Sequence, residues 1–310
     1  MKAAIALPLP SIGRPASSHA GMIALAITVL IWASFFLSLR AGAKAQLPAA
    51  ELALIRFGPA GLCFLPTLIH SWHRIITVPK RYLLGMIATG GLPYFLIACM
   101  GMRHAPVSDG STLIPGTIPL FVALIGTLFY KQHTPRHLYV ALGLISAGAA
   151  IILLFNHGQG DLLHGYGLFL LGSLMWANFT LCLRLSGLKP AEGGAVIAIS
   201  SLLVLLVWFV AGHPPTQLGN MPLSALAFHT LVQGIGVGLL ATLTYAYAIT
   251  KLGAPKSAAA GALTPVLASL LAVIIFDETP GLPSLLGMVV IVIGVILASR
   301  PNTAHVTTKQ

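Results

Sequence analysis

Apolar residues in this chain fall into ten long stretches, separated by short breaks that contain Gly, Pro, His or Asn. Crossing the ~30 Å hydrocarbon core of a bilayer takes about twenty helical residues, and the backbone polar groups there must bond within the segment. The pattern therefore predicts an all-α membrane protein with ten transmembrane helices. They are expected at 20–39, 50–71, 82–102, 108–130, 137–155, 164–184, 194–212, 226–249, 257–276 and 283–299.

The first and sixth stretches carry nearly the same sequence. Residues 32–40 read WASFFLSLR, and residues 176–184 read WANFTLCLR. A five-helix unit crosses the membrane an odd number of times, so a second copy must enter from the opposite side. The spacing predicts two inverted repeats, 20–155 and 156–300, around a central cavity. Inverted repeats are typical of secondary transporters, whose substrate site lies between the halves.

Lysine and arginine are unevenly distributed between the two sides of the predicted bundle. Only Arg40, Lys44 and Arg103 fall on the side opposite the chain ends, and most others fall on the same side as the ends. Because positively charged loops stay in the cytoplasm, both termini are predicted to be cytoplasmic. Residues 1–19 and 301–310 are then cytoplasmic tails, and a bacterial plasma (inner) membrane is the expected location.

Composition excludes several classes of protein. With 57% hydrophobic and 7% charged residues, the chain is not an ordinary soluble domain. The net charge of +11 is spread over short loops, so a nucleic-acid partner is not expected. No phosphate-binding loop or metal-ligand spacing is present, and we expect neither a cofactor nor a metal. The expected partners are the lipid bilayer and a small-molecule substrate. Gly143 and Gly148 of the fifth helix form a small-residue surface, so a homodimer is a further possibility.

Arg56 is the one basic residue well inside an apolar stretch. A charge near the centre of a helix costs about 2.5–3.5 kcal/mol on insertion scales, so such residues usually face a cavity or a partner. Two interpretations remain open. Arg56 binds a substrate carboxylate, or it forms a structural ion pair near the outer side with Glu51 or Asp109.

Aromatic and small polar residues supply further candidates for the translocation path. Trp32 and Trp176 occupy equivalent repeat positions, and interruptions with Gly and Pro occur in the third and eighth helices, as at transporter sites. The alternative for these residues is ordinary helix packing. The full set of predicted path residues is Trp32, Ser34, Arg56, Tyr94, Pro115, Trp176, Asn178, Gln233, Thr244, Tyr247 and Pro265.

The second half resembles a known family. Residues 245–249 read YAYAI, followed by Gly253-Ala254, Thr264-Pro265-Val266 and Glu278-Thr279-Pro280, which resembles the second repeat of EamA-type transporters of the drug/metabolite transporter (DMT) superfamily. This resemblance implies a ten-helix inverted-repeat fold in which helices five and ten are peripheral. It also implies export of amino acids, related metabolites or toxic organic compounds.

The sequence therefore favours a secondary active or facilitative transporter, not an enzyme, that exports amino acids, related small metabolites or amphipathic organic compounds by alternating access. The alternatives are a membrane-embedded sensor or scaffold, a lipid-modifying enzyme, and a carrier of sugar- or nucleotide-type metabolites. The last is disfavoured because a phosphate site usually draws several Lys or Arg side chains, and only Arg56 is available.

Overall fold

The computed structural model describes residues 18–136, 138–156, 160–213 and 215–300. Ten helical segments, named α1 to α10, make up most of these ranges, and the predicted tails at 1–19 and 301–310 lie almost wholly outside them. The segments are α1 (Ser18–Lys44), α2 (Ala49–His70), α3 (Lys80–Gly90 and Leu92–His104), α4 (Val107–Tyr130), α5 (Leu138–Phe155), α6 (Gly160–Ser186), α7 (Pro190–Val210), α8 (Leu223–His229, Thr230–Leu240 and Ala241–Leu252), α9 (Ala254–Gly261 and Thr264–Phe276) and α10 (Leu282–Ala298). Short helices at Trp72–Ile76 and Leu218–Asn220 lie in the α2–α3 and α7–α8 connections.

The segments have the length and composition of membrane-spanning helices. In the described ranges, nine are long and apolar enough to cross a bilayer, and α10 is a shorter apolar helix of 17 residues. Large apolar side chains such as Leu62, Phe129 and Val210 are exposed on their outer faces, where they would meet lipid. The predicted multi-pass helical fold is confirmed, with boundaries that differ by a few residues.

Helix packing follows the internal repeat. Helix α2 packs on α7, α4 on α9 and α5 on α10, so that these helices contact their counterparts in the other repeat. Helix α1 packs on α8, and its counterpart α6 packs on α3. These pairings are those of two similar units related by an approximate twofold axis. The bundle has two ends, which we call the α1–α2 end and the α2–α3 end after the connections found there.

The helical interruptions expected in α3 and α8 are present. Helix α3 breaks at Gly91, and the Ser201 hydroxyl of α7 accepts a 2.9 Å hydrogen bond from the free backbone N–H of Leu92. Helix α8 contains an 11-residue π-helical stretch, Thr230–Leu240. A π-helix places more residues in each turn than an α-helix, so this stretch rotates the faces of α8 on either side of it.

A small residue of α5 allows close packing against α10 within the same chain. A Cβ atom added at Gly148 would lie 2.7 Å from the Gly287 carbonyl oxygen of α10, so the two backbones are in close contact. Gly143 has open space around it. The homodimer that these two glycines left open stays a prediction.

Candidate substrate-binding cavity

A cavity of about 320 Å³ lies between the two repeats, at the middle of the bundle. That volume is within the range of small-molecule binding sites. Its wall comes mainly from α1, α4, α9 and α10, with single residues from α2, α3 and α6 and two from α8. The lining residues are Trp32, Phe35, Phe36, Arg56, Tyr94, Ile114, Pro115, Gly116, Ile118, Pro119, Trp176, Val237, Tyr245, Ala258, Gly261, Ala262, Thr264, Pro265, Ile291, Val292 and Val295.

The participation of α10 differs from the expected arrangement. The resemblance implied that helices five and ten are peripheral, yet α10 contributes Ile291, Val292 and Val295 to the wall. None of the described lining residues belongs to α7. Helix α10 packs on α4 as well as on α5, and Ile291 lies against Gly116 of α4, so one face of α10 reaches the cavity.

Two tryptophan–tyrosine pairs related by the repeat form the aromatic part of the wall. Trp32 of α1 packs on Tyr245 of α8 with ring centroids 4.9 Å apart. Trp176 of α6 packs on Tyr94 of α3 at 4.8 Å. The ring planes are tilted by 55° and 47°, and such aromatic contacts contribute about 0.5–1.5 kcal/mol beyond their buried area. Each pair joins a tryptophan of one repeat to a tyrosine of the other, so both repeats contribute to both aromatic surfaces of the cavity.

Prolines line the cavity on both α4 and α9. Pro115 and Pro119 of α4 and Pro265 of α9 all lie on the wall. Proline removes a backbone hydrogen-bond donor and interrupts the regular helix. Helix α9 is indeed interrupted just before Thr264, whereas α4 remains continuous through both prolines.

Arg56 lies on the cavity wall within a cage of phenylalanine rings. Its guanidinium carbon is 5.3, 5.5 and 5.2 Å from the ring centroids of Phe35, Phe57 and Phe95. Its Nη1 donates a 3.0 Å hydrogen bond to Oε1 of Gln233, whose Nε2 donates in turn to the backbone oxygen of Phe35 at 3.4 Å. The cage favours a positive charge through cation–π attraction.

The ion pair considered for Arg56 is not formed. The carboxylate of Glu51 instead accepts backbone N–H bonds of 2.6–3.2 Å from residues 216–218 of the α7–α8 connection. Asp109 accepts a 2.7 Å hydrogen bond from the hydroxyl of Tyr166. In both cases the other repeat supplies donors far away in the sequence, and they occupy the carboxylates in place of Arg56.

Six of the eleven residues predicted for the path line the cavity: Trp32, Arg56, Tyr94, Pro115, Trp176 and Pro265. Gln233 is fully buried behind the wall and reaches the cavity only through Arg56. The other four are Ser34, Asn178, Thr244 and Tyr247, and none is a wall residue. A transport role for any of the eleven stays a prediction.

The surroundings of three of those four residues show what they do in the helix bundle. Asn178 donates to the hydroxyl of Thr89 at 3.2 Å, and the hydroxyls of Thr244 and Thr28 are 2.7 Å apart. Both contacts join helices, which is the packing role considered as their alternative. Tyr247 is exposed on the outer face of α8.

Sequence reasoning missed Tyr245, the tyrosine of α8 that does line the cavity. Gln233, Thr244 and Tyr247 share a face only if α8 is a regular α-helix between them. The π-helical turns from Thr230 to Leu240 change that register and bring Tyr245 inward. Tyr245 lies on α8, the counterpart of the helix that carries Tyr94, and it contacts the tryptophan of the first repeat as Tyr94 contacts that of the second.

Charged side chains join helices at the α1–α2 end. Oε1 of Glu278, just after α9, accepts from Nε of Arg40 at 2.7 Å and from Nζ of Lys44 at 3.1 Å. Arg40 also donates to the Met102 carbonyl oxygen at 2.7 Å, and Val107 N–H lies 3.4 Å from Oε2 of Glu278. This cluster links the ends of α1, α3 and α9 with the start of α4.

Two helical repeats enclosing a central cavity define a multi-pass membrane transporter. The sequence profile of the EamA-like transporter family matches residues 19–154 and 163–300, which is most of the chain in two copies. The chain therefore belongs to the EamA-like transporter family.

Individual relatives agree with this assignment. The chain is 26% identical over 285 residues to the uncharacterized transporter YdfC of Bacillus subtilis, covering 88% of this chain and 89% of that protein. It is also 26% identical over 292 residues to a probable terminal-alkyne amino-acid exporter of Streptantibioticus cattleyicolor, covering 89% and 92%. A solved crystal structure superposes with a TM-score of 0.60 at 17% identity over 91% of this chain and 97% of that one, which supports the fold alone.

Proposed function

We propose that this transporter exports small amphipathic organic molecules of amino-acid size across the cytoplasmic membrane by alternating access. The observation that carries the proposal is the pair of Trp–Tyr contacts, each joining the two repeats, at a shared cavity of about 320 Å³. Tyrosine and tryptophan combine an apolar ring with a hydrogen-bonding group, so they suit substrates that carry both kinds of surface. The similarity to a probable amino-acid exporter supports the same substrate size.

The charge distribution and the contacts at the two ends of the bundle support the proposed export. The positive-inside pattern supports an outer α1–α2 end and cytoplasmic termini. At that outer end Glu278 links Arg40 and Lys44, while the wall residues Tyr245 and Ala258 lie toward the opposite end. This arrangement favours loading from the cytoplasm, as an exporter requires.

A carrier of nucleotide sugars fits the cavity less well. Phosphate sites draw several basic side chains, and Arg56 is the one lysine or arginine among the described wall residues. The walls are otherwise apolar and aromatic, which favours a substrate with a single charged group.

The test is counterflow by the purified full chain in liposomes. The panel contains amino acids, aromatic acids and amines, and a nucleotide sugar. We expect accumulation of aromatic amino acids or related compounds and none of the nucleotide sugar. Trp32→Ala and Trp176→Ala are each expected to reduce that counterflow about 3- to 10-fold, the loss of one aromatic contact.

Trp208→Ala is the matched control, because Trp208 is a half-exposed tryptophan of α7 that stacks on His213 and is not on the wall. It is expected to transport like the unaltered protein. Absence of counterflow for the whole panel would overturn the proposed function. Equal effects of all three tryptophan substitutions would show that the aromatic cavity is not the substrate site.

A further inference from the structure

The positive charge of Arg56 has no counter-ion in the described part of the protein. No carboxylate oxygen there lies within ion-pairing distance of its guanidinium. The nearest polar partner, Gln233, is a neutral amide, and the three phenylalanine rings attract the charge without cancelling it. An uncompensated charge inside a membrane protein is costly and usually marks a functional site.

The guanidinium also retains unused hydrogen-bonding capacity. It carries five N–H donors in a planar fork, and in the described ranges its one side-chain hydrogen bond is that of Nη1 to Gln233. Arg56 is 7% exposed, and that small surface lies on the cavity wall. A planar fork with free donors and an open face matches the geometry of a carboxylate, which accepts two parallel N–H bonds.

Gln233 holds the fork in place. Its amide is fully buried and joins Arg56 to the backbone oxygen of Phe35, so it fixes one edge of the guanidinium. The residue lies inside the π-helical stretch of α8, and π-turns often occur at functional sites. Neutrality is the important property here, because a carboxylate in the same position would satisfy Arg56 from within the protein.

We propose that Arg56, positioned by Gln233, is the carboxylate-binding centre of the cavity, and that the substrates are small carboxylates or zwitterions with an apolar or aromatic body. The carboxylate pairs with the free edge of the guanidinium, and the body packs against the two Trp–Tyr pairs. This inference rests on the proposed transport function and specifies its substrate class. Gln233 is a positioning residue, and Arg56 is the group that touches substrate.

Three compounds that share a phenyl ring but differ in their charged groups test whether the cavity recognises a carboxylate. 3-Phenylpropionate carries only a carboxylate, phenethylamine only an amine, and L-phenylalanine both. We expect calorimetric titration of the purified full chain to give much tighter binding of 3-phenylpropionate and phenylalanine than of phenethylamine. A charge-assisted hydrogen bond corresponds to a difference of about 10- to 150-fold in the dissociation constant.

Two substitutions test the residues. Arg56→Met is expected to remove the preference for the carboxylate compounds. Gln233→Glu has nearly the same shape but supplies an internal carboxylate to Arg56. It should therefore weaken the binding of 3-phenylpropionate by a factor similar to that given above. The affinity for phenethylamine should stay unchanged or increase. Gln233→Glu leaves no unpaired charge behind, because its carboxylate pairs with the guanidinium of Arg56, so the variant is expected to fold. It therefore keeps the proposal testable if Arg56→Met fails to fold.

The chain offers a matched control in Gln132, whose Oε1 accepts a 2.8 Å hydrogen bond from Nη2 of Arg184 at an exposed site. Gln132→Glu makes the same chemical change beside another arginine, away from the Arg56 cavity. It is expected to leave the affinities for all three compounds unchanged.

A protein that binds phenethylamine as tightly as 3-phenylpropionate, or that binds neither, overturns the carboxylate centre. The same conclusion follows if Gln233→Glu weakens all three compounds equally or none of them. Counterflow of amines alone would overturn the carboxylate centre and leave the proposed transport function standing. Absence of counterflow for every compound of the full panel would overturn the transport function itself.

Discussion

Glu51 binds the α7–α8 connection to the start of α2 through hydrogen bonds. Its substitution should lower the local stability of that connection. Oε1 accepts from Thr216 N–H at 2.8 Å and from the Thr216 hydroxyl at 3.1 Å, and Oε2 accepts from Leu218 N–H at 2.6 Å. Gln217 N–H reaches both oxygens. The carboxylate is 2% exposed, so these bonds are protected from water.

Glu51→Gln keeps the shape and removes the charge. An amide has one acceptor oxygen, so at least one backbone N–H then faces an NH₂ group. Losing one charge-assisted bond and weakening the others should cost about 2–4 kcal/mol of local stability. If the connection opens locally, amide hydrogen exchange in the segment 215–222 should accelerate about 30- to 1000-fold.

Glu192 is the matched control, because it occupies the equivalent position at the start of α7. Its Oε2 accepts from Lys189 N–H at 2.7 Å within its own helix cap, and its Oε1 is 3.4 Å from Nη1 of Arg74 in the α2–α3 connection. Glu192→Gln should therefore accelerate exchange in the segment 72–76 much less. Unchanged exchange at 215–222 in Glu51→Gln, or a larger effect from Glu192→Gln, would refute the reasoning.

Two further outcomes are expected. Reporter fusions after residue 218 should read as external and fusions after residues 78 and 188 as internal, and the reverse result would contradict cytoplasmic termini. Glu278→Gln should lower stability by about 1–3 kcal/mol in thermal unfolding, because it removes the negative charge shared by two cations at the α1–α2 end. Asp277→Asn is its control: Asp277 has a φ of 55°, which asparagine also tolerates, and it forms no ion pair in the described ranges.

The candidate site was only partly predictable. Trp32 and Trp176 were found because the same nine-residue pattern occurs twice, and their equivalence holds in space as two matching Trp–Tyr contacts. Tyr245 was missed because a regular helical period was assumed through the π-helical part of α8. Glu51 was proposed as a partner of Arg56 because it lies five residues earlier, and Asp109 because it lies at the outer end of the fourth helix, whereas donors in the second repeat bind both.

The membrane-spanning segments, the duplication and the family could all be predicted from the sequence. The reason is that a bilayer makes each helix satisfy its own backbone hydrogen bonds, so length and hydropathy of one segment decide whether it spans. Tertiary structure alone decided which side chains meet. Arg56 and Gln233 lie 177 positions apart, and their contact depends on the approach of α2 to α8 and on the register of a π-helix, neither of which a local pattern records.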